Sequence, residues 1–190
     1  MGKNIILCGV GGQGTVLASK LIAAAAMAKG IPVMSAETIG MAQRGGSVFS
    51  HLRLGDDLHS PMLSLGSADI IIGFEPAEAV RMLPYLKKGG CVVVSNHPIM
   101  PVTAALGGSD YNGSEMIEYL KKHVENLVVV DGDKACRDIG SVKVLNIVLL
   151  GAAVRSGALD MTEEDIQAAI RTKVHPKFHA MNFRALDYVK

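Results

Sequence analysis

Four glycines, Gly9, Gly11, Gly12 and Gly14, fall within six residues, between an apolar run and a helix-forming one. Lacking a Cβ, glycine lets the chain turn tightly and lets a ligand approach the main chain. Gly9, Gly11 and Gly14 have the GxGxxG spacing of a dinucleotide turn. There the first glycine permits the turn, the second admits the pyrophosphate and the third lets helix pack on strand, with helix N–H groups facing the anion. The acid that holds a ribose belongs about 20 residues further on, and Glu37 follows Gly14 by 23 residues. The plain alternative is a tight strand-to-helix turn without a ligand. The pattern alone leaves both open.

Arg44 stands between Gln43 and the pair Gly45–Gly46. Its guanidinium fork suits a carboxylate or phosphate, and the glycines would let backbone N–H groups reach the same anion. Its alternative is an ion pair with Glu37 or another acid, fixing a loop at a subunit interface. The remaining candidates are thinner. His175 and His179 have the i, i+4 spacing of metal ligands on a helix. Pro176 places His175 at a helix start, no acid completes a site, and a surface pair is expected. Cys8, Cys91 and Cys136 stand alone; an odd count without CxxC argues against a disulfide framework, a zinc ribbon or a self-contained iron–sulfur centre. Ser35, Ser47 and Ser50 lie outside any nucleophile elbow. No catalytic residue and no metal ligand is nominated.

The elements that must position these groups follow from periodicity. Residues 4–10, 68–76 and 91–96 are apolar runs of the kind buried on both faces of a sheet. Residues 31–37, 47–55 and the end of 113–133 supply further strands. Helices are expected over 15–30, over 77–90 with Pro84 disturbing the last turn, and in the first part of 113–133. After these come 141–157, 162–174, with Thr162 and Asp165 in a near capping box, and 177–189. Alternating strands and helices imply an α/β, doubly wound, mostly parallel Rossmann-like sheet with a helical C-terminal cap, as one domain over residues 1–190. The stretch 101–114 reads as a long loop. The apolar stretch 144–154 reads as a core helix or as a docking face for a partner, with Asn146 in need of a hydrogen bond in either case.

Charged residues make up 19% of the 190 residues and the net charge is +1, against a usual charged share of about 25%. Some apolar surface is therefore expected to meet a partner. Without a basic tract nothing points to nucleic acid. The apolar run 144–154 is about half of what a bilayer span needs, and the N-terminal run is too short for a signal peptide. A cytoplasmic protein with no membrane contact is the expectation.

The paired motifs in residues 9–55 resemble the gamma-type subunit of the 2-oxoacid:ferredoxin oxidoreductases. They comprise Gly9, Gly11, Gly12, Gln13, Gly14, Glu37, Gly40, Gln43, Arg44, Gly45 and Gly46. The turn Thr38-Ile39-Gly40-Met41-Ala42-Gln43 is similar to the indolepyruvate (arylpyruvate) branch; the pyruvate branch usually carries a Ser-Tyr-Gly-x-Glu style of turn there. The likeness continues through 73–90 and 146–152. It implies a subunit of an enzyme that oxidatively decarboxylates a 2-oxo acid to its acyl-CoA. Thiamine diphosphate, Mg2+ and [4Fe–4S] clusters would sit on a large partner subunit, with ferredoxin as acceptor reached through the complex and CoA as substrate. This chain would hold no cofactor alone, would be inactive alone, and could pair as a homodimer in isolation. The resemblance makes Gly9, Gly11, Gly12, Gln13, Gly14, Glu37, Arg44, Gly45 and Gly46 the binding candidates, with CoA phosphates as their ligand by anion chemistry. Asp131-Gly132-Asp133 has the wrong order for a thiamine motif. A stand-alone NAD(P)-dependent oxidoreductase and a nucleotide-binding regulatory module are the rival readings.

Overall fold

The computed structural model describes residues 2–100 and 111–189, so residues 101–110 of the expected long loop lie outside the described residues. Six strands form one sheet in the order β2-β3-β1-β4-β5-β6, with β1 Lys3–Val10, β2 Val33–Glu37, β3 Ser47–Leu54, β4 Ala68–Gly73, β5 Leu86–Ser95 and β6 Asn126–Val130. The helices are α1 Thr15–Ala28, α2 Pro76–Met82, α3 Gly113–His123, α4 Gly132–Ile139, α5 Leu145–Arg155, α6 Glu163–Lys173 and α7 His179–Leu186. Pairings β1·β4, β4·β5 and β5·β6 are parallel, whereas β3 runs antiparallel to both of its neighbours. The sheet is mostly parallel, with one reversed strand inserted beside β1.

The continuous apolar character of β1 follows from helices on both faces. Ile5 and Leu7 join one core with α1, α5, α6 and α7. Ile6 and Cys8 join the other with α2 and α3. The C-terminal helices thus cap the α1 face of the sheet, and α5 lies within that core: all but Arg155 of its residues are buried. Its apolar surface is turned inward, and the docking reading of residues 144–154 is withdrawn.

Three boundaries differ from expectation. Pro84 stops the helix sooner, since α2 ends at Met82 and a 3-10 turn over Leu83–Tyr85 leads straight into β5 at Leu86. Residues 86–90, expected in a helix, are strand. At the end of β6, Asp131 accepts from Lys134 N and caps α4, a helix absent from the elements expected from periodicity. Pro176–Phe178 forms a 3-10 turn, so the last helix starts two residues later than expected, at His179. The near capping box is a full one: Thr162 and Asp165 each accept from the other's backbone N–H.

Candidate functional site

In a sheet of this winding the ligand crevice lies at the carboxyl ends of the strands where the connections diverge. Here that point is between β1, which continues through α1 to the left, and β4, which continues to the right. Gln13 fills it. Its Oε1 accepts from Val10 N at 2.7 Å and its Nε2 donates to Phe74 O at 2.9 Å. A Cβ on Gly9 would stand 2.6 Å from Gln13 Oε1, so the first glycine makes room for this internal bridge.

The second glycine admits the chain's own turn. A Cβ on Gly11 would lie 2.3 Å from the backbone carbon of Gln43 and 2.4 Å from Ala42 O. Gly11 N donates to Gly46 O at 2.8 Å, and Gly45 N donates to Gly11 O at 3.2 Å. The two glycine motifs are therefore one backbone-bonded unit. Gly12 and Gly45 have φ of 105° and 87°, angles that a side chain would strain. The third glycine, Gly14, abuts Asn146 of α5, whose Nδ2 would be 2.8 Å from an added Cβ. Asn146 thereby has its partners: Gly14 O at 3.5 Å and, at its Oδ1, Ile147 N at 2.9 Å.

Two features of this unit suit anions. Helix α1 starts at Gly14 with no side-chain cap and no acid in its first turn, so its first N–H groups and the positive end of its dipole are unanswered. They border a shallow pocket of about 280 Å³ lined by Gly11, Gly12, Gly14, Thr15, Val16 and Gln43. A separate pocket of about 410 Å³ has a lining that includes Arg44, Gly45, Gly46, Glu75, Glu78 and Arg81. Arg44 is exposed and, among the described residues, it takes part in no ion pair.

Glu37 is not brought to this unit. It ends β2 and lies level with Ser50, which lies level with Leu7 of β1. The whole of β3 separates it from the glycine loop, roughly two strand spacings or about 10 Å. The place where a dinucleotide fingerprint puts its ribose acid is thus held by a strand.

The sequence reading missed the acids of the second pocket. Glu75 and Glu78 are 2% and 6% exposed. Glu75 caps α2 by accepting from Glu78 N at 3.0 Å; it also accepts from Ile99 N at 3.4 Å and from the Tyr111 hydroxyl. Burial, followed by this carboxylate, raises the Tyr111 pKa, so its hydroxyl stays a proton donor to Glu75. Glu78 accepts from Ser47 Oγ at 2.6 Å and pairs with Arg81 at 3.4 Å, tying the start of β3 to α2. Pro76 at the first helical position, with Glu78 in the first turn, was a helix-start signal in the sequence. The partners Ser47 and Tyr111 are too distant in the chain to be read from it.

The other candidates resolve locally. His175 Nδ1 accepts from Lys177 N at 3.3 Å, and His179 Nε2 lies 2.7 Å from Val174 O. Cys8 and Cys91 belong to cores on opposite faces of the sheet, and burial raises the pKa of both thiols, well above the usual range at Cys8. Among the described residues no helix is long and apolar enough to cross a membrane.

Residues 4–189 match the family model described as pyruvate ferredoxin/flavodoxin oxidoreductase. The chain is 38% identical over 189 residues to the indolepyruvate oxidoreductase subunit IorB of Thermococcus kodakarensis, covering 97% of this chain and 92% of that one. Its fold is that of the pyruvate oxidoreductase subunit PORC of Thermotoga maritima, with a TM-score of 0.71, 24% identity and coverage of 98% and 94%. It also matches a 2-oxoglutarate:ferredoxin oxidoreductase of Magnetococcus marinus, solved with 2-oxoglutarate, coenzyme A and succinyl-CoA bound. There the TM-score is 0.70 at 20% identity, covering 98% of this chain and 30% of that one.

Proposed function

The chain belongs to the pyruvate ferredoxin/flavodoxin oxidoreductase family, and from that premise we propose that it is the small subunit of a 2-oxoacid:ferredoxin oxidoreductase acting on indolepyruvate or a related arylpyruvate. The likeness to the indolepyruvate oxidoreductase subunit supports that substrate class. Thiamine diphosphate supplies the decarboxylating chemistry, and the iron–sulfur clusters carry electrons to ferredoxin; both belong to a large partner subunit. The residues present here do not fit either group. Cys8 and Cys91 face opposite cores, and Asp131 and Asp133 are engaged as the α4 cap and as the partner of His97 at 2.8 Å.

This chain's own residues serve CoA. The carrying observation is the fusion of the glycine loop with the turn around Arg44. It sets an uncapped helix N-terminus and a guanidinium with no ion-pair partner among the described residues beside one backbone bridge. CoA bears phosphate groups in two places, a diphosphate and a ribose phosphate, and two flanking anion positions suit such a ligand. Gln13, Glu75 and Glu78 position the unit through their hydrogen bonds.

Anaerobic reconstitution tests the reading. CoA-dependent reduction of ferredoxin by indolepyruvate is expected when this chain and the thiamine- and cluster-bearing subunit are mixed, and is expected from neither alone. Full activity of the large subunit without this chain contradicts it.

A further inference from the structure

We propose that the turn over residues 38–46 docks this subunit onto its large partner, with Ile39 and Met41 as apolar anchors. The inference rests on the small-subunit reading. Ile39 is 82% exposed and Met41 76% exposed, and they stand two residues apart on one short turn. Both belong to the turn that leads into Arg44, and Met41 also lines its pocket.

The turn is a built feature and cannot fold its anchors inward. Thr38 and Phe49 are joined three ways, through Thr38 N and Oγ1 and through Phe49 N, all at 3.0 Å. Gln43 Nε2 closes the turn onto Thr38 O at 2.8 Å. Its far end is fastened to Gly11. A rigid turn that presents large apolar side chains loses little freedom on binding, which is the property of an interface anchor.

The small-subunit reading names the occupant, and the chemistry of the turn describes the face it needs. Residues 38–43 carry no charge, so the complementary face is an uncharged, apolar socket. The next residue is Arg44, and Met41, Arg44, Arg81 and Ile99 line one pocket. A second copy docking about a two-fold axis through Arg44 would place like charges together, whereas one that set Arg44 against the mate's Glu37 would not, so self-association is an outcome the test separates. Docking of the large subunit would also enclose the Arg44 pocket and remove water from the guanidinium, strengthening its hold on an anion. That links assembly to CoA binding.

The test compares two double variants of the full-length chain. In I39S/M41S the anchors are lost; in M62S/L65S an equivalent exposed apolar pair is lost from the segment joining β3 to β4, at the other end of the sheet, where Met62 is 49% and Leu65 69% exposed. Binding to the large subunit is measured by titration, and folding by thermal melts. I39S/M41S is expected to melt like wild type and to weaken binding about 30-fold or more. The single variant Ile39→Ser, whose residue is not among those lining the Arg44 pocket, should weaken binding in part and at saturation return kcat and CoA KM to wild-type values. M62S/L65S should bind within about threefold of wild type, the scale of a peripheral contact. Unchanged binding by I39S/M41S overturns the inference, as does loss of self-association with large-subunit binding intact. A wild-type chain that binds no large subunit removes the small-subunit reading itself, an outcome distinct from both.

Discussion

Two uncharged, apolar-rich stretches have opposite fates in this chain. Residues 145–154 fold within α5, sealed between the sheet and α7. Residues 38–43 form a turn whose largest side chains stand in water. Composition does not separate them; neighbours do. Helix α5 is flanked by elements able to cover it on all sides, and Gly151 lets the backbone of Leu186 approach directly. The turn is only nine residues from the end of β2 to the start of β3, too short to bury itself and held outward by its hydrogen bonds to Phe49 and Gly11. One stretch stabilises the fold, and the other is left for a partner.

The comparison breaks hardest at Gly151. A Cβ there would lie 2.1 Å from Leu186 O, a backbone atom that cannot swing aside. Alanine gains up to about 1 kcal/mol in helix propensity, but forcing α5 from α7 costs more. Gly151→Ala is expected to lower unfolding free energy by about 2 kcal/mol net, read from denaturant melts. A neutral or stabilising result would mean that α5 is looser than its burial indicates. At the small end of the same scale, I39S/M41S should change stability by less than about 0.5 kcal/mol.

Between them lies a pH test of β3, the strand that carries the turn. Buried His51 accepts at Nδ1 from Leu63 N at 2.9 Å and packs edge-on against Phe49 and Tyr85. Burial lowers its pKa, so the folded state holds the neutral ring. The unfolded chain therefore takes up the proton first as pH falls through about 6.5. This contribution to stability is complete above that pH and is lost progressively as pH falls towards the lower, folded value. Denaturant melts at pH 7.5 and 5.5 should show a drop that His51→Gln reduces; an equal drop in the variant would place the acid response elsewhere.

Much of the site was legible because its chemistry is local. The glycine spacing, the position of Arg44 and the strand-to-helix context are all contained in residues 4–46. The sheet order was not, although one clue was present. A nine-residue link between β2 and β3 is too short for a parallel crossover, which already required β3 to run backwards. Its insertion between β2 and β1 depends on pairing that no local pattern records, and with it went the place expected for Glu37. Glu75 and Glu78 stayed hidden for a similar reason. Their partners Ser47 and Tyr111 are 31 and 36 residues away, so burial of the two acids is a property of the assembled fold. Helix α4 was missed because Asp131 signals a turn and a helix cap with the same side chain.

The central claim is that the glycine loop and the Arg44 turn form one anion-binding unit for CoA. Steady-state kinetics of the reconstituted complex with Arg44→Ala tests it most directly, with CoA and indolepyruvate varied in turn. Losing a charge-assisted contact worth about 1.5–3 kcal/mol should raise the apparent KM for CoA by about 10- to 100-fold and leave that for indolepyruvate unchanged. An unaltered CoA KM, with the complex intact, would contradict the account.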